Sequence, residues 1–311
     1  MIHVNNFAYG ALNPALSYVV SCVGCFLGLR CTTRARAYQG AARARWLALA
    51  ALAIGTTGIW VMHFIAMLGF AVPGESIRYN IPVTILSMVI AVIVVGIGVF
   101  IVGFSRAGNG PLLLLGGTII GLGVASMHYL GMAAVRVQTS LSYNAGLVVA
   151  SVIIAVIAGT AALWMALRLD SVWSTLIASL VAGVAVNGMH YTGMAAVRAQ
   201  AAPGLVVSTA DTASATGFLL PLILGLSAVG FIFSAAIALS PTAAEIMEEG
   251  ELMKRIGQSQ AAQSQARPWQ APPPQPYQPY QAARGEPEPD APGSLFRPRQ
   301  PGDQRRPSDQ R

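Results

Sequence analysis

Long runs of apolar residues, separated by short polar stretches, fill the first 240 positions and then stop. A hydrocarbon core of about 30 Å is crossed by about 20 helical residues. Seven stretches reach that length, at residues 11–29, 46–70, 83–104, 111–135, 145–167, 175–197 and 217–239. Such runs satisfy their own backbone as helices, whereas barrel strands would alternate and be half as long. The pattern therefore predicts an all-α, polytopic membrane protein with seven transmembrane helices in residues 1–240. Residues 1–10 have no basic segment and no obvious cleavage site follows, so the first span is read as a helix rather than a signal peptide.

Beyond the last span the pattern changes twice. Residues 241–266 form a juxtamembrane segment. There Thr242 as cap, Glu245 three residues on, and Ile246, Met253 and Ile256 near one face predict a short surface helix over 242–258. From 267 to 311, 12 of 45 residues are Pro and Gln is frequent. That composition cannot bury enough apolar surface to offset its ordering entropy, which predicts a disordered Pro/Gln-rich C-terminal tail. Its run Pro272, Pro273, Pro274 could dock an aromatic groove as polyproline II, although a solvated tail is the plainer reading.

Composition and charge sharpen this picture. Charged residues make up 10% of the chain, against roughly 25% in soluble domains, and the mean hydropathy is +0.58. Both exclude a water-soluble enzyme. Residues 1–240 hold ten Arg against Glu75, Asp170 and Asp211, while residues 241–311 balance nine basic with nine acidic residues. The positive excess thus sits on the apolar part, where it sets topology and meets anionic lipid headgroups, not nucleic acid. Arg30, Arg34, Arg36, Arg43, Arg45, Arg106 and Arg168 follow spans one, three and five; Arg78, Arg136 and Arg198 lie on the other side. The bias predicts a multi-pass protein of the inner (cytoplasmic) membrane with its N-terminus outside and its C-terminus in the cytoplasm. Besides the lipid bilayer, the expected partner is a cytoplasmic one engaged through residues 242–311.

One motif occurs three times. Span two contains Met62-His63-Phe64-Ile65-Ala66-Met67, span four Met127-His128-Tyr129-Leu130-Gly131-Met132, and span six Met189-His190-Tyr191-Thr192-Gly193-Met194. Three of the four histidines in the chain occupy this one context. All three helices run outward in the expected topology, which puts each imidazole about 11–12 Å below the outer end at 1.5 Å per residue. The three share one depth and could converge. A polar group inside a membrane is costly and points to function, although duplication could also have copied a packing motif.

His and Met four residues apart share a helix face. His63 with Met67, His128 with Met132, and His190 with Met194 therefore make imidazole–thioether pairs suited to copper, especially Cu(I). The spans hold almost no carboxylate, which argues against a di-iron or Mg²⁺ site. Met62, Met127 and Met189 are weaker candidate ligands, because they sit about 100° round the helix from their histidines. Ala66, Gly131 and Gly193 are small residues that let helices approach. Tyr129 and Tyr191 could hydrogen-bond the second nitrogen of a ligating histidine.

The residues Met189-His190-Tyr191-Thr192 spell the signature of the MHYT domain family, which the chain resembles over residues 1–240. The second copy departs at Leu130, and the first carries Phe64 and Ile65. The resemblance implies a bacterial integral-membrane sensor domain. It implies copper near the outer face, held by His63, His128 and His190 with nearby Met, and a response to O₂, CO or NO. Many proteins of this kind are fused to cyclic-di-GMP synthesis or hydrolysis modules or to a histidine kinase. Residues 241–311 carry no GG[DE]EF-like or EAL-like segment, so a stand-alone form with a short tail is expected, and not an enzyme.

Other features are weaker. Cys22, Cys25 and Cys31 read as small packing residues of span one, or as soft stepping sites for Cu(I). Asn187, one turn before His190, is expected to bond between helices, and Gly117 with Gly121 to support a helix contact. Alternatives to the sensor are an intramembrane copper carrier or store, and a haem-binding electron-transfer protein.

Overall fold

The computed structural model describes residues 4–105, 110–168, 171–200, 211–238 and 243–265. The chain is a multi-pass, all-helical membrane protein. Seven helices are long and apolar enough to cross a bilayer: Leu12–Arg36, Gly40–Met67, Ile81–Gly103, Gly110–Ala134, Ala145–Arg168, Val172–Ala195 and Ala215–Phe233. The seventh continues helical to Ala238.

The basic loop expected between spans one and two is mostly helix, since span one continues to Arg36 and span two begins at Gly40. Arginine is a good helix former, and its long stem carries the charge clear of apolar surroundings. Arg34 lies over Trp46 and Arg43 over Phe104, at 5.3 and 5.4 Å from the ring centroids. Arg36 donates to the Leu167 carbonyl at the end of span five, at 2.7 Å.

Consecutive spans from one to six pack as neighbours, and span six closes back on span one. Spans two, four and six also touch one another pairwise. The bundle is therefore a six-helix ring whose alternate members meet at its centre, the arrangement a triplicated hairpin would build. Span seven packs on span one and on the middle of span two. Apolar residues such as Ile85, Ile93 and Ile97 on span three and Ile153 and Ile157 on span five are exposed, while Ser21, Ser87, Ser151 and Ser179 are buried. That inverted distribution suits a lipid solvent, in which small and polar residues make the helix contacts.

Close crossings rest on glycine. Gly24 of span one lies against Thr57 and Gly58 of span two, so that an added Cβ would overlap backbone. Gly117 and Gly121 lie likewise against Thr160 and Val156 of span five, which makes the small-residue pair an intrachain contact. Span two departs from α geometry over Ile54–Val61, which is π-helical and ends just before Met62 and His63. Such wide turns are rare and collect at functional sites.

The ends of the bundle nearest the three histidines carry short ladders that the apolar pattern did not reveal. Strand β1 (Arg78–Asn80) pairs antiparallel with β2 (Val135–Arg136) and β5 (Thr212–Ser214). Strand β3 (Ser140–Tyr143) pairs with β4 (Val197–Gln200). These tie together the segments that leave spans two, four and six. Tyr79 of β1 is buried with its ring 5.9 Å from that of Phe64. Burial pushes its phenol pKa up, so the hydroxyl stays protonated.

The juxtamembrane helix runs Ala243–Gln265, seven residues past the expected end at 258. Met253 and Ile256, expected on its apolar face, are exposed. Contacts divide the chain into Met1–Arg255 and Ile256–Arg311. Arg106, Asp170, Thr242 and the tail at 267–311 lie outside the described residues.

Overpacking a tight contact costs about 1–3 kcal/mol. Gly24→Val should therefore lower the unfolding temperature in detergent by several degrees. Gly188→Ala, where an added Cβ meets nothing within 4 Å, should leave it unchanged or slightly raised. Equal behaviour of the two variants would contradict the crossing described here.

Candidate metal centre

His63, His128 and His190 sit on spans two, four and six at 1%, 0% and 1% exposure. They stand four, six and five residues before the helix ends at Met67, Ala134 and Ala195. That is roughly 6–9 Å of helix, shallower than the sequence predicts, because the helices end at the ladders before the apolar runs do.

The three side chains converge. Nδ1 of His63 lies 3.0 Å from Nδ1 of His190 and 3.2 Å from Nδ1 of His128. One ring nitrogen from each of the three lies within 4.8 Å of the others. The rings meet edge to face, with centroids 5.0, 4.9 and 5.0 Å apart and interplanar angles of 87°, 79° and 89°. Three copies of one motif on three mutually touching helices thus present three like nitrogens to one point.

The small residue three positions after each histidine explains how the rings fit. A Cβ added to Gly131 would strike Nε2 of His63, and one added to Gly193 would strike Nε2 of His128. Each of these rings therefore rests over the glycine of the next copy. In the first copy the equivalent position is Ala66, also buried.

Three buried histidines so placed can hold a metal ion. Nε2 of His63 and of His128 is buried with no hydrogen-bond partner, and no Asp or Glu lies on any of the seven spans. The converging Nδ1 atoms lie within hydrogen-bonding distance of one another, with donor and acceptor set by the tautomers, and their lone pairs can instead share a cation. Trigonal or tetrahedral binding at about 2.0–2.1 Å separates three nitrogens by about 3.3–3.6 Å. The observed 3.0 and 3.2 Å are short of this by a few tenths of an ångström, a shift that side-chain rotation supplies. The residues present fit a three-nitrogen metal site.

The remaining candidates fare differently. Met62, Met67, Met127, Met132, Met189 and Met194 are all buried at 1–2% exposure, within the same bundle. The expected hydrogen bonds from tyrosine to histidine are not made. The Tyr129 hydroxyl lies 2.6 Å from Ser151 Oγ, and the Tyr191 ring stacks on Phe7 with centroids 5.4 Å apart. The Tyr191 hydroxyl has no hydrogen-bond partner. A residue directly after a histidine sits about 100° round the helix, so both phenols turn away from the convergence point. Asn187 does bond between helices, accepting from Ser17 at 2.8 Å and donating to the Gly183 carbonyl at 2.8 Å. Asn13, which sequence reasoning passed over, donates to the Ile65 carbonyl at 2.7 Å and joins span one to the turn carrying His63. Cys22, Cys25 and Cys31 are free and buried.

The family described as "MHYT: Bacterial signalling protein N terminal repeat" matches residues 57–117 and 121–179. Each match begins six or seven residues before its histidine, and the third motif, with His190, lies beyond both. The bifunctional diguanylate cyclase/cyclic di-GMP phosphodiesterase MucR of Pseudomonas aeruginosa is 36% identical over 198 residues, 61% of this chain and 28% of that protein. The cyclic di-GMP phosphodiesterase NbdA of the same organism is 36% identical over 200 residues, covering 62% and 25%. Signaling protein YkoW of Bacillus subtilis is 28% identical over 207 residues, covering 63% and 24%. The chain spans about a quarter of the length of these curated relatives. No solved structure matches it.

Because the Tyr129 hydroxyl serves Ser151 rather than a histidine, Tyr129→Phe should cost about 0.5–1.5 kcal/mol of stability. It should leave metal uptake by the purified protein unchanged in elemental analysis. Loss of bound metal with stability intact would restore a role for this phenol at the metal.

Proposed function

The membrane bundle belongs to the MHYT family, and on that premise we propose that it is a sensor of a diatomic gas (O₂, CO or NO) or of redox state, operating through copper. The observation that carries the reading is the convergence of three buried Nδ1 atoms from three repeated helices. Imidazole donors without a carboxylate favour copper or zinc over hard cations. The thioethers of Met67, Met132 and Met194, and less favourably of Met62, Met127 and Met189, tilt the choice toward Cu(I). A copper ion held there by His63, His128 and His190 would offer the gas a soft Lewis-acid centre to bind.

The chain's own residues supply the rest. Gly131 and Gly193 hold the rings at a fixed depth, and the buried apolar surroundings keep water away. A ligand acts as a switch only if it favours one packing over another. The segment best placed for this is the π-helical turn Ile54–Val61, which leads directly into His63. Thr57 within it lies against Gly230 of span seven. A change in that turn would reach span seven, whose chain continues to the helix Ala243–Gln265 and the segment 242–311, where a cytoplasmic partner would read it. The arginines favour an inner-membrane protein with its N-terminus outside and C-terminus in the cytoplasm. We read the bundle itself as non-catalytic, the enzymatic names belonging to much longer relatives.

The haem alternative has little support, because ring centroids 4.9–5.0 Å apart leave no slot for a porphyrin between two histidines. The carrier or store alternative differs from the sensor in its response to gas. Protein loaded with Cu(I) and exposed to CO should give an infrared carbonyl stretch that His128→Ala abolishes. Copper without any such band, in an otherwise folded protein, would replace the sensor by the store. Gly131→Ala should reduce copper occupancy by half or more, because its methyl displaces the His63 ring; full occupancy would contradict the ring seat.

A further inference from the structure

Next to the histidines lies a void of about 50 Å³ whose lining has no hydroxyl, amide or charged side chain. Its place follows from the repeat. Ile59, Val124 and Val186 line it, and each stands four residues before a histidine, His63, His128 and His190 in turn. Residues four apart share one helix face about one turn, or 5.4 Å, apart. The void therefore touches all three histidine-bearing helices about one turn deeper in the bundle than the imidazoles, and extends from there between spans one and five. Met189, the neighbour of His190, also lines it.

Its chemistry restricts what it can hold. A buried water needs two to four polar partners, and the lining offers only the thiol of Cys25 and the thioether of Met189, both weak ones. Apolar voids stay dry and take up small apolar molecules, xenon among them. This one is too small for a lipid chain. Partly exposed Ala158 and Ala162 of span five and Val186 of span six put its edge at the outer surface of the bundle, where hydrocarbon lies. The histidines, by contrast, are closed to water at 0–1% exposure.

We propose that this void is a binding chamber for an apolar diatomic molecule, loaded sideways from the bilayer and held one helical turn beneath the histidine nitrogens. The identity of its physiological occupant rests on the gas-sensing reading; its existence as a site does not. The chamber selects by polarity. O₂, CO and NO enter from the lipid phase, whereas water and hydrated anions, which would lose their hydrogen bonds, are kept out. Ala182, buried in the lining two turns before His190, offers a place to fill it without touching a histidine.

The test uses xenon on the metal-free 311-residue chain in nanodiscs, read by xenon exchange NMR against empty nanodiscs. Copper stoichiometry is measured separately on the same preparation. Wild type should show a saturable protein-bound signal. Ala182→Leu should weaken it about tenfold, equivalent to about 1.4 kcal/mol, and Ala182→Val to a smaller extent. No saturable signal in wild type overturns the chamber, as does a signal unchanged in a folded variant. Should Ala182→Leu fail to fold, Ala182→Val decides. Xenon binding in protein that never takes up copper upholds the chamber and removes the sensor; copper uptake without a xenon site does the reverse.

Discussion

Three converging imidazoles, with Nδ1 of His63 at 3.0 and 3.2 Å from its two counterparts in a membrane interior without an acidic side chain, form the constraint on which the rest of this bundle depends. Such a cluster must either share protons between its nitrogens or share a cation among their lone pairs. The helices must also approach closely enough to bring the rings together, which explains the glycines beneath two of them. The repeat solves this once and uses the solution three times. Spans two, four and six meet at the centre, spans one, three and five fill the gaps between them, and the short ladders join the three ends.

Much of this was legible in the sequence because the physics involved is periodic. Helix length against bilayer thickness gave the spans, and spacing gave the shared depth of His63, His128 and His190. Non-local features were not legible. The pairing of Arg78 with Arg136 and Ser214 joins segments 58 and 136 residues away, and no apolar pattern encodes it. The helical run through Arg30, Arg34 and Arg36 escapes hydropathy, which registers charge and not the reach of an arginine stem. Proximity in sequence suggests a histidine partner for each of the two tyrosines. Their position one residue along the helix turns them to other partners, Ser151 and Phe7.

The π-helical turn of span two was equally invisible, since nothing in Ile54–Val61 marks it beyond its glycines. Yet it distinguishes one copy from the other two, and it packs on span seven. In the much longer signalling relatives the same bundle occupies about a quarter of the chain.

The most direct test is the metal content of the 311-residue chain in nanodiscs, supplied with copper and compared with a variant carrying His63→Ala, His128→Ala and His190→Ala together. The shared convergence point predicts about one copper per wild-type chain and none in the variant. Equal copper in the two, or none in wild type, would contradict a metal centre at the three histidines.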